Sequence, residues 1–234
     1  MVNTAIILAG GKGERLRPLT NNRPKVMVEV AGHPILYWQI KWLKSHGVNK
    51  FVLTVSYKYE VIQDYFKDND LGVEIDYSIE EEPLGRGGAI KQAFKSKFVQ
   101  GKENVVATNG DIITKFDLSQ MIKKHEDTKS LVTMLLVPHQ SRWGIAKLDE
   151  EDHILGFEEK PRLPYWINGG IYVFNKSIEP MLPEIGDHEK ETFPKIAKEK
   201  FLGYKDEGFW RAVDVVKDRS EAEAFLETGQ EKFS

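Results

Sequence analysis

The 234-residue chain contains no cysteine. That excludes a disulfide framework, a thiolate zinc site, a redox pair and a cysteine nucleophile. Nor is there an excess of charge of either sign: 33 Lys+Arg stand against 36 Asp+Glu, a formal net charge of −3. Nucleic-acid binders normally carry a basic excess on one face, so no nucleic-acid partner is expected. Long hydrophobic runs are missing too. The start, MVNTAIILAGG, has a short apolar run with no basic segment before it, which fits no signal peptide, and no stretch approaches the ~20 residues of a membrane helix. The expectation is a cytoplasmic protein with no membrane partner, whose chemistry draws on Asp, Glu, Lys, Arg, His or a hard metal ion. The six histidines (His33, His46, His125, His139, His153 and His188) follow no ligand spacing and read as surface or packing residues.

What is present is an ordinary globular composition, 41% hydrophobic and 29% charged, in a chain long enough to bury a substantial core. Short β-branched runs alternate with longer amphipathic ones through the first half. Strands are predicted at 5–8, 51–55, 73–77 and 105–107, with helices at 36–46 (closed by Gly47), 59–66 and 89–98 between them. This rhythm implies a mostly parallel sheet covered on both faces. The second half changes to strands at 131–137, 145–148, 154–159 and 171–174, with helices at 193–200 and 219–227. The fold class expected is α/β, a Rossmann-like doubly wound mixed sheet with antiparallel β additions in the second half. The chain reads as a single domain, 1–234, with 1–115 serving one ligand and 116–234 another. In such sheets ligands bind beyond the carboxyl ends of the strands.

The most informative stretch is Leu8 to Thr20, LAGGKGERLRPLT. Gly10, Gly11 and Gly13 follow a buried strand and let backbone N–H groups approach a phosphate. A Rossmann fingerprint would need Gly where Leu16 stands, and a Walker A loop would need Ser or Thr after Gly-Lys. Arg15, Arg17 and, just beyond, Lys25 add charge suited to several phosphates. Taken alone, a glycine-rich loop with solvated basic residues is often only a tight turn.

Leu8 to Thr20 followed by Pro24-Lys25 resembles the signature of the sugar-phosphate nucleotidyltransferases, also called nucleotide-sugar pyrophosphorylases. The resemblance implies the nucleotide-diphospho-sugar transferase type of fold and a nucleotide held by the backbone of Leu8, Ala9, Gly10, Gly11 and Gly13. It also implies a triphosphate bound by Arg15 and Lys25, with Lys25 at the reacting phosphate. It extends from Ile6 to about Leu226, so no C-terminal acyltransferase or β-helix extension is expected. Asn109-Gly110-Asp111 ends a strand, and Asp214 lies in the apolar stretch GFWRAVDVV. A lone Asp is most often a turn or cap, but the resemblance makes Asp111 and Asp214 the pair that holds Mg²⁺, with Asp111 among the catalytic groups. Trp210 and Asp214 are four apart, a spacing similar to that of glucose-1-phosphate cytidylyltransferases.

On the sugar side, Phe157-Glu158-Glu159-Lys160-Pro161 reads without the resemblance as a solvated strand end worth little energetically. With it, Lys160 neutralises the phosphate of a sugar 1-phosphate and Glu158 contacts the sugar. Asn168-Gly169-Gly170 resembles a third signature, in which Asn168 meets sugar hydroxyls and Gly169 permits close backbone approach. Trp143, beside Gly144, reads as a packing residue. The loop Glu80 to Gly88 (EEEPLGRGG) resembles the family's base-recognition loop, giving Glu80, Gly85, Gly88 and Gly110 nucleotide contacts. Arg86 replaces the commoner Thr. Residues 55–66 and 77–89 look most like heptose-1-phosphate guanylyltransferases, the chain as a whole resembles heptose-1-phosphate and mannose-1-phosphate guanylyltransferases, and a carboxylate at Glu80 can accept from guanine N1–H and the exocyclic amine together.

The function expected is transfer of a nucleotidyl group from an NTP, GTP favoured, to a sugar 1-phosphate, giving an NDP-sugar and pyrophosphate. A heptose or mannose 1-phosphate is preferred as acceptor, and cytidylyl or uridylyl transfer is the alternative. A non-catalytic nucleotide-sensing subunit of the same fold, or a related glycosyltransferase, are readings from other classes. The first usually lacks a catalytic Lys or metal Asp, and the Arg15/Lys25 loop argues against the second. A homo-oligomer is left open by the resemblance.

Overall fold

The computed structural model describes residues 2–228. Met1 and residues 229–234, which the expected domain includes, lie outside them. A seven-stranded sheet organises the chain: β1 (Thr4–Leu8), β2 (Lys50–Val55), β3 (Glu74–Ile79), β4 (Asn104–Asn109), β5 (Val132–Gln140), β6 (Arg162–Asn175) and β7 (Phe201–Lys205). Their spatial order is β7-β5-β6-β4-β1-β2-β3. β4, β1, β2 and β3 are mutually parallel, while β6 runs antiparallel to both β4 and β5. The expected mixed, Rossmann-like sheet is therefore present, and its antiparallel strand comes from the second half. Among the described residues no helix is long and apolar enough to cross a membrane.

The inner strands are apolar at successive positions because both faces are covered. In β1, Ala5 and Ile7 pack in one cluster with Leu36, Ile40 and Leu43 of helix α1 (Ile35–Ser45), and Ile62 of α2 (Glu60–Asp68) joins them. Ile6 points to the other face, joining Ile90 and Ala93 of α3 (Gly85–Ala93) with Phe174. Helix α1 ends as its glycine predicts: Gly47 has φ of 84°, and the Gly47 and Val48 amides return to Lys44 and Leu43 carbonyls.

A third apolar cluster does the positioning. Leu16 of the glycine loop packs with Val30, Ile35, Ile113 and Val213, and with Ala222 and Leu226 of the C-terminal helix. Ile113 lies in a short strand, Ile112–Thr114, paired antiparallel with Trp210–Ala212. The loop after β1, the turn after β4 and the approach to the last helix are thus pinned to one apolar knot.

Several predicted elements change. Helix α4 (Leu118–Thr128) was not expected; its buried positions Leu118, Met121, Ile122 and His125 fall at helical spacing, and Asp117 caps it. The helix expected at 193–200 is replaced by two 3₁₀ turns, Phe193–Lys195 and Lys198–Lys200, ahead of strand β7. The helix expected at 89–98 begins earlier, at Gly85, within the glycine-rich turn. Those glycines fit a crowded interface: a Cβ on Gly85 would meet the Gly186 carbonyl oxygen at 2.5 Å, and one on Gly88 the Glu184 oxygen at 2.3 Å. Trp143 does not pack. It is 74% exposed, because the hairpin Ile145–Leu148/Ile154–Glu158 that it precedes stands outside the main sheet.

The tight approach at Gly88 has a consequence for stability. Ala improves helix propensity by about 1 kcal/mol, but here its methyl must displace backbone, and overpacking costs about 1–3 kcal/mol. Gly88→Ala is expected to lower the urea midpoint with m unchanged; a midpoint at or above that of the parent chain would contradict this packing.

Candidate active site

The site lies where the carboxyl ends of β1, β2 and β4 meet. A cleft of about 350 Å³ is lined there by Leu8 at the end of β1, Gly10 and Gly11 from the loop, Thr54 and Ser56 at the end of β2, Glu80, Gly85 and Arg86, and Asn109, Gly110 and Asp111. The loop keeps a fixed path. Ser56 Oγ donates to the Gly10 carbonyl at 3.1 Å, Thr20 Oγ1 to the Gly13 carbonyl at 2.8 Å, and the Lys25 amide to the Gly11 carbonyl at 3.0 Å. Gly13 has φ of 67°, and a Cβ there would stand 2.9 Å from Thr20 Cγ2. Gly110 donates to the Leu8 carbonyl at 2.9 Å, which ties the loop to the end of β4. A Cβ on Gly110 would meet that same oxygen at 2.5 Å.

At the mouth of the loop the Lys25 ammonium is hydrogen-bonded to Asp111 Oδ2 and lies 2.6 Å from Asp214 Oδ1. Arg15 joins Asp214 Oδ1 at 2.7 Å from the solvent side, its side chain 65% exposed against 12% for Lys25. Residues 86 and 189 positions from Lys25 in the chain are thus gathered on one ammonium. Backbone geometry holds the carboxylates there. The Val213 amide donates to the Asp111 carbonyl at 2.9 Å, continuing the Trp210–Ala212 pairing. Asp218, in the first turn of the helix Val216–Thr228, accepts from the Asp214 and Val215 amides, both at 3.0 Å. Nothing in the sequence pattern singled out Asp218; an Asp three residues into a helix, reaching back over its own start, is the signal that was available.

Electrostatics follow from this clustering. Burial opposes the Lys25 charge, but Asp111 and Asp214 outweigh it and hold the ammonium above the ordinary lysine pKa. Burial likewise opposes charge on Asp214, and Lys25 and Arg15 more than offset it, so that its carboxyl lies below the usual range. Asp111 Oδ1 is buried with no hydrogen-bond partner. An orphaned carboxylate oxygen beside a second carboxylate suits a hard divalent cation, which takes one or two protein carboxylates and completes its shell with phosphate oxygens and water. Among the described residues no set of three or more acidic, His or Cys groups could hold a metal by itself, so Asp111 and Asp214 fit a metal shared with a polyanionic ligand.

Across the cleft Glu80 lines the wall, and its Oε2 accepts from the Leu84 amide at 3.1 Å. Burial raises its pKa, partly countered by that bond. Arg86 lines the cleft, yet its guanidinium is engaged by Asp187 and Glu189. Gly88 does not line it. Asn168 and Gly169 sit where β6 shifts register against β5, between Asn168 and Tyr172. The Trp210 indole donates to the Gly169 carbonyl at 2.8 Å, and a Cβ on the neighbouring Gly170 would stand 2.6 Å from Asn109 Nδ2.

None of the four sugar-side residues, Glu158, Lys160, Asn168 and Gly169, belongs to the cleft lining. Glu158 pairs with Lys147 at 3.0 Å across the exposed hairpin, and Lys160, half exposed, pairs with its neighbour Glu159 at 3.1 Å.

Residues 4–229 match the family model described as Nucleotidyl transferase. The chain is 40% identical over 202 residues to the D-glycero-alpha-D-manno-heptose 1-phosphate guanylyltransferase of Campylobacter jejuni, covering 86% of this chain and 87% of the relative. It is 34% identical over 229 residues to the enzyme of the same name from Aneurinibacillus thermoaerophilus, covering 95% and 98%. Among solved structures it is similar to HddC from Yersinia pseudotuberculosis complexed with GMP-PN, with a TM-score of 0.78, 30% identity, and 96% and 100% of the two chains covered.

The ion cluster sets a pH dependence. Asp214 is depressed in the folded state, so its contribution is present above the unfolded value of about 3.9 and is lost as pH falls through the lower folded value. Lys25 is raised, so its contribution holds below about 10.4 and is lost only as pH rises through the folded value. The stability difference between the parent chain and Asp214→Asn is therefore expected to be flat from about pH 5 to 9 and to shrink below about pH 4. Denaturant titrations across that range check this; a difference that stays constant down to pH 2 would contradict it.

Proposed function

The chain belongs to the nucleotidyl transferase family, and from that premise we propose that it transfers a guanylyl group from GTP to the 1-phosphate of a manno-configured heptose, releasing pyrophosphate. The observation that carries this reading is the Lys25–Asp111–Asp214–Arg15 cluster at the mouth of the glycine loop. The heptose is favoured over mannose because the two heptose 1-phosphate guanylyltransferases align over 87% and 98% of their own lengths. A mannose-1-phosphate guanylyltransferase from Mycobacterium tuberculosis aligns over 65% of its length.

The chemistry assigned to the residues begins with charge. A sugar 1-phosphate is largely dianionic near neutral pH, its second pKa being about 6, so its oxygen attacks the α-phosphorus without help from a general base. Pyrophosphate leaves in line. The obstacle is repulsion between two polyanions, and catalysis then rests on positioning and neutralisation rather than on a covalent intermediate. Gly10, Gly11 and Gly13 offer backbone N–H groups to the phosphates, while Leu8 is paired within the sheet and the Ala9 amide donates to the Thr54 carbonyl at 2.8 Å, which holds the start of the loop in place. In the free protein Arg15 and Lys25 are neutralised by Asp111 and Asp214. An arriving triphosphate competes for both cations, and each carboxylate so released becomes a hard oxygen donor. Asp111 and Asp214 would hold Mg²⁺, which supplies charge neutralisation between the phosphates. Lys25 then faces the α-phosphate and Arg15, the most exposed of the four, the outer phosphates.

Glu80 is assigned to the base. One carboxylate oxygen is held by the Leu84 amide, which fixes the group's orientation and leaves acceptor capacity for guanine N1–H and the exocyclic amine. Uracil and cytosine cannot match that donor pair. The first 115 residues supply the nucleotide side, and Asn168 and Gly169 of β6 the sugar side. Lys160 is assigned to the acceptor phosphate and Glu158 to the sugar, roles that require the hairpin to close over the cleft. All of Arg15, Lys25, Asp111 and Asp214 are retained, which favours turnover over a purely sensing role.

Pyrophosphate release is the test, with GTP, CTP, UTP and ATP each offered D-glycero-α-D-manno-heptose, mannose and glucose 1-phosphates. GTP with the heptose 1-phosphate is expected to be fastest, and Lys25→Ala to lower kcat by about 10²–10⁴-fold with the fold intact. Near-normal turnover in Lys25→Ala, or equal rates with CTP, would overturn the assignment.

A further inference from the structure

Arg86, which stands where the resembling loop carries Thr, points away from a phosphate role and towards a second polar network. Its guanidinium straddles Glu189, with one nitrogen 2.8 Å from Oε1 and the other 3.0 Å from Oε2, and the latter also reaches Asp187 Oδ2 at 2.5 Å. Asp187 starts the short helical turn His188–Glu191, its Oδ1 accepting from the Glu189 amide at 2.9 Å. Glu189 Oε1 also takes the Tyr172 hydroxyl at 3.1 Å and Asn168 Nδ2 at 3.0 Å. One carboxylate oxygen therefore gathers donors from α3, from β6 and from the bulge in β6.

The consequence falls on Asn168. A carboxylate can only accept, so the Asn168 side chain must turn its NH₂ towards Glu189. Both amide hydrogens are then used, one on Glu189 and one on the Tyr172 oxygen at 2.7 Å. The carbonyl end, Oδ1, accepts from the Gly170 amide at 2.8 Å and keeps one lone pair. An asparagine that offers both a donor and an acceptor on its own is reduced here to an acceptor of fixed direction. Tyr172 cannot relax the arrangement, since it is fully buried and its ring stacks on Phe174 at 5.3 Å. Arg86 has its own place in this scheme: without it Glu189 and Asp187 would be two half-buried carboxylates without a cation, a costly state.

We propose that Glu189 is a positioning residue that locks Asn168 as a hydrogen-bond acceptor for a sugar hydroxyl and, through Arg86, ties that acceptor to the helix following the nucleotide loop. This rests on the guanylyltransferase reading above. It explains why the cation at position 86 is spent on carboxylates rather than offered to phosphate. Recognition at Asn168 then requires a hydroxyl that donates, so a deoxyfluoro sugar, whose fluorine only accepts, is rejected at the position concerned.

The test is a double-mutant cycle between Glu189→Gln and Asn168→Ala, read as KM for the sugar 1-phosphate and KM for GTP separately. Each single variant is expected to raise the sugar-phosphate KM by about 10–30-fold, a change of the size produced by losing one well-placed polar contact, while the GTP KM moves less than about threefold. Because Glu189 acts through Asn168, the double variant is expected to be no worse than Asn168→Ala, a failure of additivity that a merely structural residue does not produce. Tyr172→Phe keeps the packing and removes only the hydroxyl. It is expected to give a smaller rise in the same KM, and supplies the same readout if Glu189→Gln folds poorly. Effects that multiply in the double variant, or equal losses for both substrates, would overturn the positioning role. If the parent chain turns over yet Glu189→Gln leaves the sugar-phosphate KM unchanged, the proposal fails and the functional reading stands. If the parent chain releases no pyrophosphate with any sugar 1-phosphate, the functional reading fails and the positioning role falls with it.

Discussion

The ammonium of Lys25, bonded to Asp111 and Asp214 at once, is the interaction on which the rest of the site depends. Two carboxylates from distant parts of the chain would repel each other in a half-buried position, and a shared cation makes their proximity tolerable. The same cation stands just beyond the loop that, in the proposed function, faces phosphates. Charge is therefore balanced in the free protein by groups that are each needed separately once a polyanion arrives. On the proposed function, a nearly neutral chain presents a cationic loop to a polyanionic substrate, and net charge is then a poor guide to the charge of the ligand.

Apolar packing sets the precision of that cluster. Leu16 anchors the glycine loop in the knot that also contains Ile113 and Val213, two residues beyond Asp111 and one before Asp214. The short antiparallel pair Ile112–Thr114/Trp210–Ala212 and the Val213-to-Asp111 hydrogen bond then fix the register between the carboxylates. Asp218 satisfies the amides at the helix start, so Asp214 sits on an element whose end is capped rather than frayed. Across the cleft, the glycines of α3 let the Glu184–Gly186 segment approach closely enough for Arg86 to reach Asp187 and Glu189.

The parts of this arrangement that were legible in sequence are those governed by local pattern. Strands such as Ala5–Leu8 and Val105–Ala107 are apolar at every position because both faces are buried, and the glycine loop carries its own conformational signature. Asp111, after a strand and a glycine, and Asp214, a carboxylate in an apolar stretch, each read alone as a turn or cap, and only the resemblance to the family signature pairs them. What escaped depends on contacts between distant segments. Helix Leu118–Thr128 hides its amphipathic pattern behind Lys123, Lys124 and His125, and β7 follows two 3₁₀ turns whose sequence reads equally well as one helix. Glycines at 85 and 88 look like ligand-binding positions but serve in large part to admit another backbone. Trp143 looked like core and is solvent-facing, because hydrophobicity alone does not say whether a hairpin has a partner. The Glu189 network has no local signature; it is created by α3, β6 and a four-residue turn meeting in space.

The central claim is that the site transfers a nucleotidyl group by charge neutralisation and direct attack, with no group of the protein becoming bonded to phosphorus. The stereochemical course at the α-phosphorus tests it most directly. Turnover of a single diastereomer of GTP carrying sulfur on the α-phosphorus, with the heptose 1-phosphate as acceptor, is predicted to give the guanosine diphosphate sugar with inverted configuration, the outcome of one in-line displacement. Net retention would require two displacements through a covalent nucleotidyl-protein, and would contradict the account.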